Sequence, residues 1–298
     1  MLPNSVPLTP LVIFAAAFVG GALNAVAGGG SFITLPALLY AGVPPVSANA
    51  TSAFALWPAS IASVVAYRRE LSGMRAWMAR LGAISVIGGL IGGILLVRTS
   101  DESFMRLLPW LMLLAALTFT FGGRITQRLR RSPRRRGVAA APPSESASSR
   151  SGAAAEPHPT AAPRSSASIA QPSAGTALGG VGVPLWVLVP QLVIATYGGY
   201  FGGGMGIMML AAMAIAGMSD MHAMNGLKSG LAVAINGVAV ATFIVDGTIT
   251  WTPGFIMMAG GIVGGYAGAA LARRTAGTRV RSLVLAIAWT MTTYFFLR

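Results

Sequence analysis

The sequence lacks cysteine entirely and contains only two histidines among its 298 residues. Without cysteine, the chain forms no disulfide and offers neither a thiolate metal site nor a cysteine nucleophile. His158 and His222 lie too far apart for a paired zinc motif on one helix, and no Ser-His-Asp arrangement is indicated. The sequence therefore predicts a protein that is not an enzyme and that holds no metal or cofactor.

Charged residues are also scarce, at 9% of the chain, whereas 54% of the residues are hydrophobic. Soluble proteins carry roughly a quarter charged residues, so this composition indicates a membrane protein. The net charge of +14 comes mainly from arginines that flank apolar segments, with a dense cluster from Arg124 to Arg136. This distribution is typical of the positive-inside rule and argues against nucleic acid as a partner.

The apolar runs predict an all-α polytopic membrane protein, because a membrane-spanning helix needs about 20 apolar residues. Eight segments have full length: 10–27, 48–66, 81–97, 106–122, 184–200, 225–245, 254–272 and 281–297. Two segments, 31–42 and 205–217, are too short to span the membrane alone. Each follows a glycine cluster, which predicts a broken helix or a hairpin within the membrane.

The same module occurs in both halves of the chain. A glycine cluster, Gly28–Gly30 or Gly202–Gly206, precedes an apolar stretch and then an asparagine, Asn49 or Asn225. Glycine-interrupted helices at corresponding places in two halves indicate the binding site of a secondary transporter.

The chain divides into two transmembrane halves, 1–123 and 181–298, joined by a linker over 124–180. The linker is rich in Arg, Pro, Ala and Ser without apolar periodicity, so we expect it to be disordered. Arginines after segments 48–66 and 254–272, and in the linker, predict that these parts are cytoplasmic. The two halves would then cross the membrane in opposite directions, as inverted repeats do.

The glycine clusters predict a substrate site for an anion. Unwound backbone within a membrane is tolerated only inside protein or beside a water-filled cavity, and a helix N-terminus attracts negative charge. The predicted donors of the first cluster are Gly28, Gly29, Gly30 and Ser31, and those of the second are Gly202, Gly203, Gly204 and Gly206. The alternative is that these glycines serve close helix packing, the role predicted for the mid-span glycines of 88–93 and 260–268.

Lys228 is the only lysine in the chain; the other 20 basic residues are arginine. Its place within an apolar segment predicts a compact ammonium that balances the charge of a substrate. The alternative is a lysine near a helix end that extends to the cytoplasmic interface. Asp220 and His222 are too few for a metal site, and Asp220 or Ser219 is expected to cap the helix instead.

The polar side chains near the glycine clusters suit an oxyanion or a carboxylate. The predicted substrate-binding set includes Asn49, Thr51, Ser52, Asn225 and Ser229, with Asn24 and Asn236 as weaker candidates. The alternative is that these side chains form hydrogen bonds between helices.

The chain resembles the sulfite exporter TauE/SafE family, also called the toluene sulfonate uptake permeases. In the first half the resemblance lies in Gly20–Ser31, Pro36, Asn49–Thr51 and Tyr67–Leu71; in the second it lies in Tyr197–Met208 and Asn225–Lys228. It implies a permease of the bacterial inner membrane that moves sulfur-containing or small organic anions such as sulfite and sulfonates. The long linker departs from the family pattern.

The predicted function is secondary transport by alternating access, with the bilayer and a small anion as partners. No nucleotide-binding glycine loop is present, so a coupling ion, H+ or Na+, or substrate flux itself would supply the energy. An anion channel and a non-transporting membrane scaffold are the alternatives. The sequence leaves open the substrate, the direction of transport and whether the protein forms a homo-oligomer.

Overall fold

The computed structural model describes residues 8–27, 29–66, 68, 71, 73–131, 185–218, 220–272 and 277–297. These residues form helices joined by short turns, and no strand occurs within the described ranges. The prediction of an all-α protein is confirmed.

Each half contains five α-helices among the described residues, and the second helix of each half is short. The first half contains α1 (Leu8–Ala27), α2 (Ser31–Tyr40), α3 (Pro45–Ala66), α4 (Arg75–Val97) and α5 (Asp101–Arg131). The second contains a 3-10 turn (Leu185–Val187), α6 (Leu188–Tyr200), α7 (Met205–Ile215), α8 (Met221–Asp246), α9 (Trp251–Ala272) and α10 (Gly277–Leu297). Helix α5 extends to Arg131, into the segment predicted as linker, and the remaining linker residues lie outside the described ranges.

By length and composition, three helices within the described residues are apolar enough to cross a membrane: Arg75–Val97, Asp101–Gly122 and His222–Asp246. Shorter apolar helices accompany them in the described residues, and one of these, Leu185–Tyr200, combines the 3-10 turn with α6 and coincides with the predicted segment 184–200. The helices at the other seven segments predicted to have full length contain 20 to 31 residues. Large apolar side chains such as Ile91, Trp110 and Phe255 are exposed on the outer surface. An apolar exterior of this kind suits a protein that faces lipid.

The two short helices turn back along the helices that precede them. A Cβ added at Gly20 of α1 would lie 2.8 Å from the side chain of Thr34 and 3.1 Å from the carbonyl oxygen of Gly30. In the second half, a Cβ at Gly198 of α6 would lie 3.6 Å from the Cβ of Met205 at the start of α7. Helices of 10 and 11 residues measure only about 15 Å. The glycine clusters therefore form the tips of two hairpins.

Glycines also join the two halves. Helix α1 packs against α9, where a Cβ at Gly260 would lie 2.5 Å from the carbonyl oxygen of Phe14 and one at Gly268 would lie 2.5 Å from the Cα of Ala22. Helix α4 packs against α6 in the same way, since a Cβ at Gly88 would lie 2.5 Å from the Cβ of Ala195. Small residues allow membrane helices to approach this closely. The packing role predicted for these mid-span glycines is confirmed.

Candidate functional site

A cavity of about 90 Å³ lies between the two hairpin tips and helices α3 and α8. Both halves contribute to its wall. The lining residues are Asn24, Ser31, Ala53, Leu56, Ser60, Phe201, Gly202, Met205, Gly206, Lys228, Ser229, Ala232 and Asn236. Seven of them belong to the predicted substrate-binding set, so the fold brings together residues that are far apart in sequence.

Helices α3 and α8 each present one face to the cavity. Residues three and four positions apart lie on the same side of a helix, and Ser229, Ala232 and Asn236 follow this spacing on α8. Ala53, Leu56 and Ser60 follow it on α3. When Asn49 is aligned with Asn225, these three positions fall on the three positions of α8 in order.

The second hairpin tip depends on glycine geometry. Gly202 and Gly204 have φ angles of 81° and 80°, in the left-handed region that L side chains rarely adopt. Gly204 is the N-cap of α7, and the helix starts at Met205. Gly206 therefore lies inside the first turn of α7, so the break ends before Met205 and does not include the last glycine of the cluster.

The N-termini of α2 and α7 both reach the cavity, through Ser31 and through Met205 and Gly206. The N–H groups of a first helical turn have no partner within their own helix. The N–H groups that come later in these turns do have hydrogen-bond partners. Phe32 N–H donates to Gly29 O at 3.3 Å, and Ile207 N–H donates to Gly204 O at 3.1 Å. These two ends give the cavity a partial positive charge.

Lys228 is the only cation among the described residues that line the cavity. Its aliphatic chain runs over the first turn of α7, where a Cβ at Gly206 would lie 3.3 Å from Lys228 Cδ. Within the described residues, Lys228 forms neither an ion pair nor a hydrogen bond. The nearest acid in sequence, Asp220, caps α8 as predicted, and its Oδ1 accepts a hydrogen bond from His222 N–H at 2.8 Å. The lysine charge is therefore left without a counter-ion from the described chain.

The uncharged polar residues of the wall surround this ammonium. Asn24, Ser31, Ser229 and Asn236 form no side-chain hydrogen bond to other described residues, so their amides and hydroxyls are available to a ligand. The Ser60 hydroxyl donates to Leu56 O of its own helix at 3.5 Å, which is at the limit of a hydrogen bond.

Three predicted residues of α3 lie away from the cavity and bond to other segments. Asn49, Thr51 and Ser52 are at most 3% exposed. Asn49 Nδ2 donates to Tyr200 O at 2.8 Å, and Thr51 Oγ1 accepts from Thr250 N–H at 3.0 Å. The Ser52 hydroxyl lies 2.6 Å from the hydroxyl of Thr34 on α2. These contacts match the alternative stated for them, hydrogen bonding between helices.

The remaining predicted glycines support the hairpin tips rather than line the cavity. Gly29 packs beside Phe119 and Val284, Gly30 packs against Gly20 and Leu56, and Gly204 packs against Ala115. Gly203 O accepts a hydrogen bond from Tyr197 Oη at 2.7 Å.

Two further predicted residues complete the set. Asn225 lies on α8, one turn before Lys228, and is not among the lining residues. Gly28 lies outside the described residues, so the structure gives no position for it.

Sequence analysis did not select the other six residues of the wall, which are Ala53, Leu56, Ser60, Phe201, Met205 and Ala232. Phe201 and Met205 are ordinary apolar residues beside a glycine cluster, and nothing in their type marks them. Ser60 was accessible to sequence reasoning, because it aligns with Asn236 once the two halves are superimposed on their asparagines.

The arrangement can bind a small anion. Its described residues supply one ammonium, four hydrogen-bonding side chains without partners among the described residues and two helix N-termini, and none of them is a carboxylate. No group of three or more His, Asp or Glu side chains that could hold a metal ion occurs among the described residues.

Comparison with known proteins matches the chain to one family and to relatives that are named as probable membrane transporters. The family model for the sulfite exporter TauE/SafE matches residues 13–295. A probable membrane transporter protein of Haemophilus influenzae is 27% identical over 94% of this chain and 92% of its own length. The probable membrane transporter protein YfcA of Escherichia coli K12 is 22% identical over 96% of this chain and 88% of its own. No solved structure matches the chain.

The family match runs through both helical halves and includes every residue of the cavity wall. It is a family of membrane transporters and not of enzymes. The chain therefore belongs to the sulfite exporter TauE/SafE family.

Proposed function

We propose that this transporter is a secondary carrier that moves sulfur-containing or small organic anions, such as sulfite or sulfonates, across the bacterial inner membrane by alternating access. The observation that supports it most directly is the ammonium of Lys228, which faces a cavity between the halves and has no carboxylate partner among the described residues. An uncompensated charge within a membrane is costly, so a bound anion would stabilise this site. The name of the matching family supports sulfite as the first substrate to test.

Two features support an arrangement of the halves as inverted repeats. Helix pairs between the halves are reciprocal: α1 of the first half packs on α9, the fourth helix of the second, and α6 packs on α4. Trp57 Nε1 of α3 also donates to Val233 O of α8 at 3.2 Å, and these two positions coincide when Asn49 is aligned with Asn225. Equivalent residues meet in this way near a two-fold axis. Alternating access commonly proceeds by rocking of one such repeat against the other.

The loops support a single orientation. Val46 N–H, in the first turn of α3, donates to Oδ1 of Asp101, the first residue of α5, at 2.9 Å, so the loops before α3 and before α5 lie on the same side. Thr250 N–H reaches Thr51 near the start of α3, which brings the loop before α9 to that side as well. The arginine-rich loop around Arg68–Arg80 follows the other end of α3. By the positive-inside rule that end is cytoplasmic, and the linker with it.

The test is sulfite flux into proteoliposomes, with wild type compared with Lys228→Met. Methionine retains the length and packing of the side chain and removes the charge. We expect flux to fall about a hundredfold, because a charge-assisted contact worth about 3 kcal/mol is lost. Saturation and counterflow by unlabelled sulfite distinguish a carrier from a channel, and imposed H+ or Na+ gradients identify a coupling ion.

The matched control is Arg106→Met. This change also removes one positive charge, but Arg106 is exposed and pairs only with Glu102 on its own helix at 2.6 Å. Its flux should equal that of wild type. Equal flux in Lys228→Met and wild type would contradict the proposed site, and absence of any saturable anion flux would contradict transport of this substrate class.

A further inference from the structure

Among the described residues, the cavity wall contains one formal charge. Lys228 supplies it, and no arginine, histidine or acid is among the other described lining residues. The residue equivalent to Lys228 in the first half is Ser52, whose hydroxyl is held 2.6 Å from that of Thr34. The first half therefore adds no second cation at the corresponding position.

The cavity is also small. One buried water needs about 10–15 Å³ of such a cavity, so a volume of about 90 Å³ holds several waters. This space suits a small oxyanion. Asn24, Asn236 and Ser229 offer donors to the oxygens, and Leu56, Phe201 and Met205 form an apolar wall beside them.

The net charge of the loaded site distinguishes two classes of anion. With a monoanion, the charges of Lys228 and of the substrate sum to zero, so little free energy is needed to surround the neutral pair with apolar helices. With a dianion, one negative charge stays uncompensated in a low-dielectric environment. The N-termini of α2 and α7 attract either anion, but each helix has an opposite partial charge at its other end and adds no net charge.

We infer that the site selects small, singly charged oxyanions, so that hydrogen sulfite and methanesulfonate are substrates and the sulfite dianion, sulfate and thiosulfate are not. This inference rests on the proposed function and assigns the charge state of its substrate.

The pH dependence of sulfite transport tests it in the wild-type protein. The second ionisation of sulfite lies near neutrality, so the hydrogen sulfite fraction falls about tenfold for each pH unit above it. Counterflow is measured with equal pH on both sides of the membrane, which removes any proton gradient. The KM for total sulfite should rise in step with the loss of hydrogen sulfite. Methanesulfonate, which is a monoanion throughout, reports any titration of the protein, and its KM should stay constant.

Competition provides the second measurement. Unlabelled methanesulfonate should inhibit methanesulfonate flux at concentrations about tenfold or more below those required of sulfate or thiosulfate. The variant Asn236→Lys adds a second cation to the wall and should reduce this difference about tenfold. Asn236→Gln keeps the wall neutral and is the matched control.

The outcomes separate the two proposals. A sulfite KM that is constant or falls with rising pH, or equal inhibition by sulfate and methanesulfonate, would overturn the monoanion inference and leave anion transport intact. Full flux in Lys228→Met would overturn the proposed site and this inference with it, and loss of all saturable anion flux in wild type would overturn the proposed function as well.

Discussion

Helices α3 and α8 occupy equivalent places in the two halves but use their polar residues differently. On α3, Asn49, Thr51 and Ser52 are buried and each bonds to another segment. On α8, Lys228, Ser229 and Asn236 face the cavity without a hydrogen-bond partner among the described residues. The three polar residues of α3 therefore bond to neighbouring segments of the protein, whereas those of α8 face the proposed substrate site. Position in the repeat alone does not assign either role.

The largest effect should come from placing the α8 charge on α3. Ser52→Lys would put an ammonium at a site that is 1% exposed and already occupied by the Thr34 hydroxyl. We expect the free energy of unfolding to fall by about 3 kcal/mol, the cost of a charge within a membrane helix. The reverse change, Lys228→Ser, removes an uncompensated charge, so the free energy of unfolding should be unchanged or higher. Unfolding in mixed micelles followed by tryptophan fluorescence measures both, and equal stability of the two variants would contradict the comparison.

A smaller difference in stability is expected between the alanine variants of Asn49 and Asn236. Asn49→Ala removes the bond to Tyr200 O and should lower the free energy of unfolding by about 1 kcal/mol. Asn236→Ala should change it by less than about 0.5 kcal/mol, because no hydrogen bond to the described residues is lost. Its effect should instead be a rise in KM for counterflow. If Asn49→Ala changed only KM and left stability unchanged, Asn49 would be a substrate-binding residue.

The smallest effect should follow from Gly206→Ala. The added Cβ would lie 3.3 Å from Lys228 Cδ, so the flexible lysine chain must shift by a few tenths of an ångström. We expect KM to rise about threefold while stability is unchanged or slightly raised, since alanine favours a helix over glycine. Gly82→Ala on α4 is the control, because a Cβ there meets nothing within 4 Å. Identical KM values in the two variants would show that Gly206 does not position the lysine.

Sequence analysis predicted helix breaks at Gly28–Gly30 and Gly202–Gly206, because clustered glycines neither favour a helix nor fill space in it. In the structure α1 ends at Ala27 and α2 begins at Ser31, while α6 ends at Tyr200 and α7 begins at Met205. Sequence analysis also selected Lys228 from its rarity. It ranked Asn24 and Asn236 below Asn49 and Asn225, yet the first two line the cavity and the second two do not. The ranking relied on the repeated motif, and a repeat in sequence does not specify which face of a helix meets its neighbour.

Amino-acid composition and order determined the membrane setting, the two glycine-broken hairpins and the single intramembrane lysine. These follow from local chemistry: apolar length, backbone freedom and charge. Only the tertiary structure decided which polar groups bond to protein and which face the cavity. Asn49 and Ala53 lie one turn apart on α3, yet Asn49 meets Tyr200 O and Ala53 meets the cavity. The difference comes from helices distant in sequence, whose packing fixes the surroundings of each face.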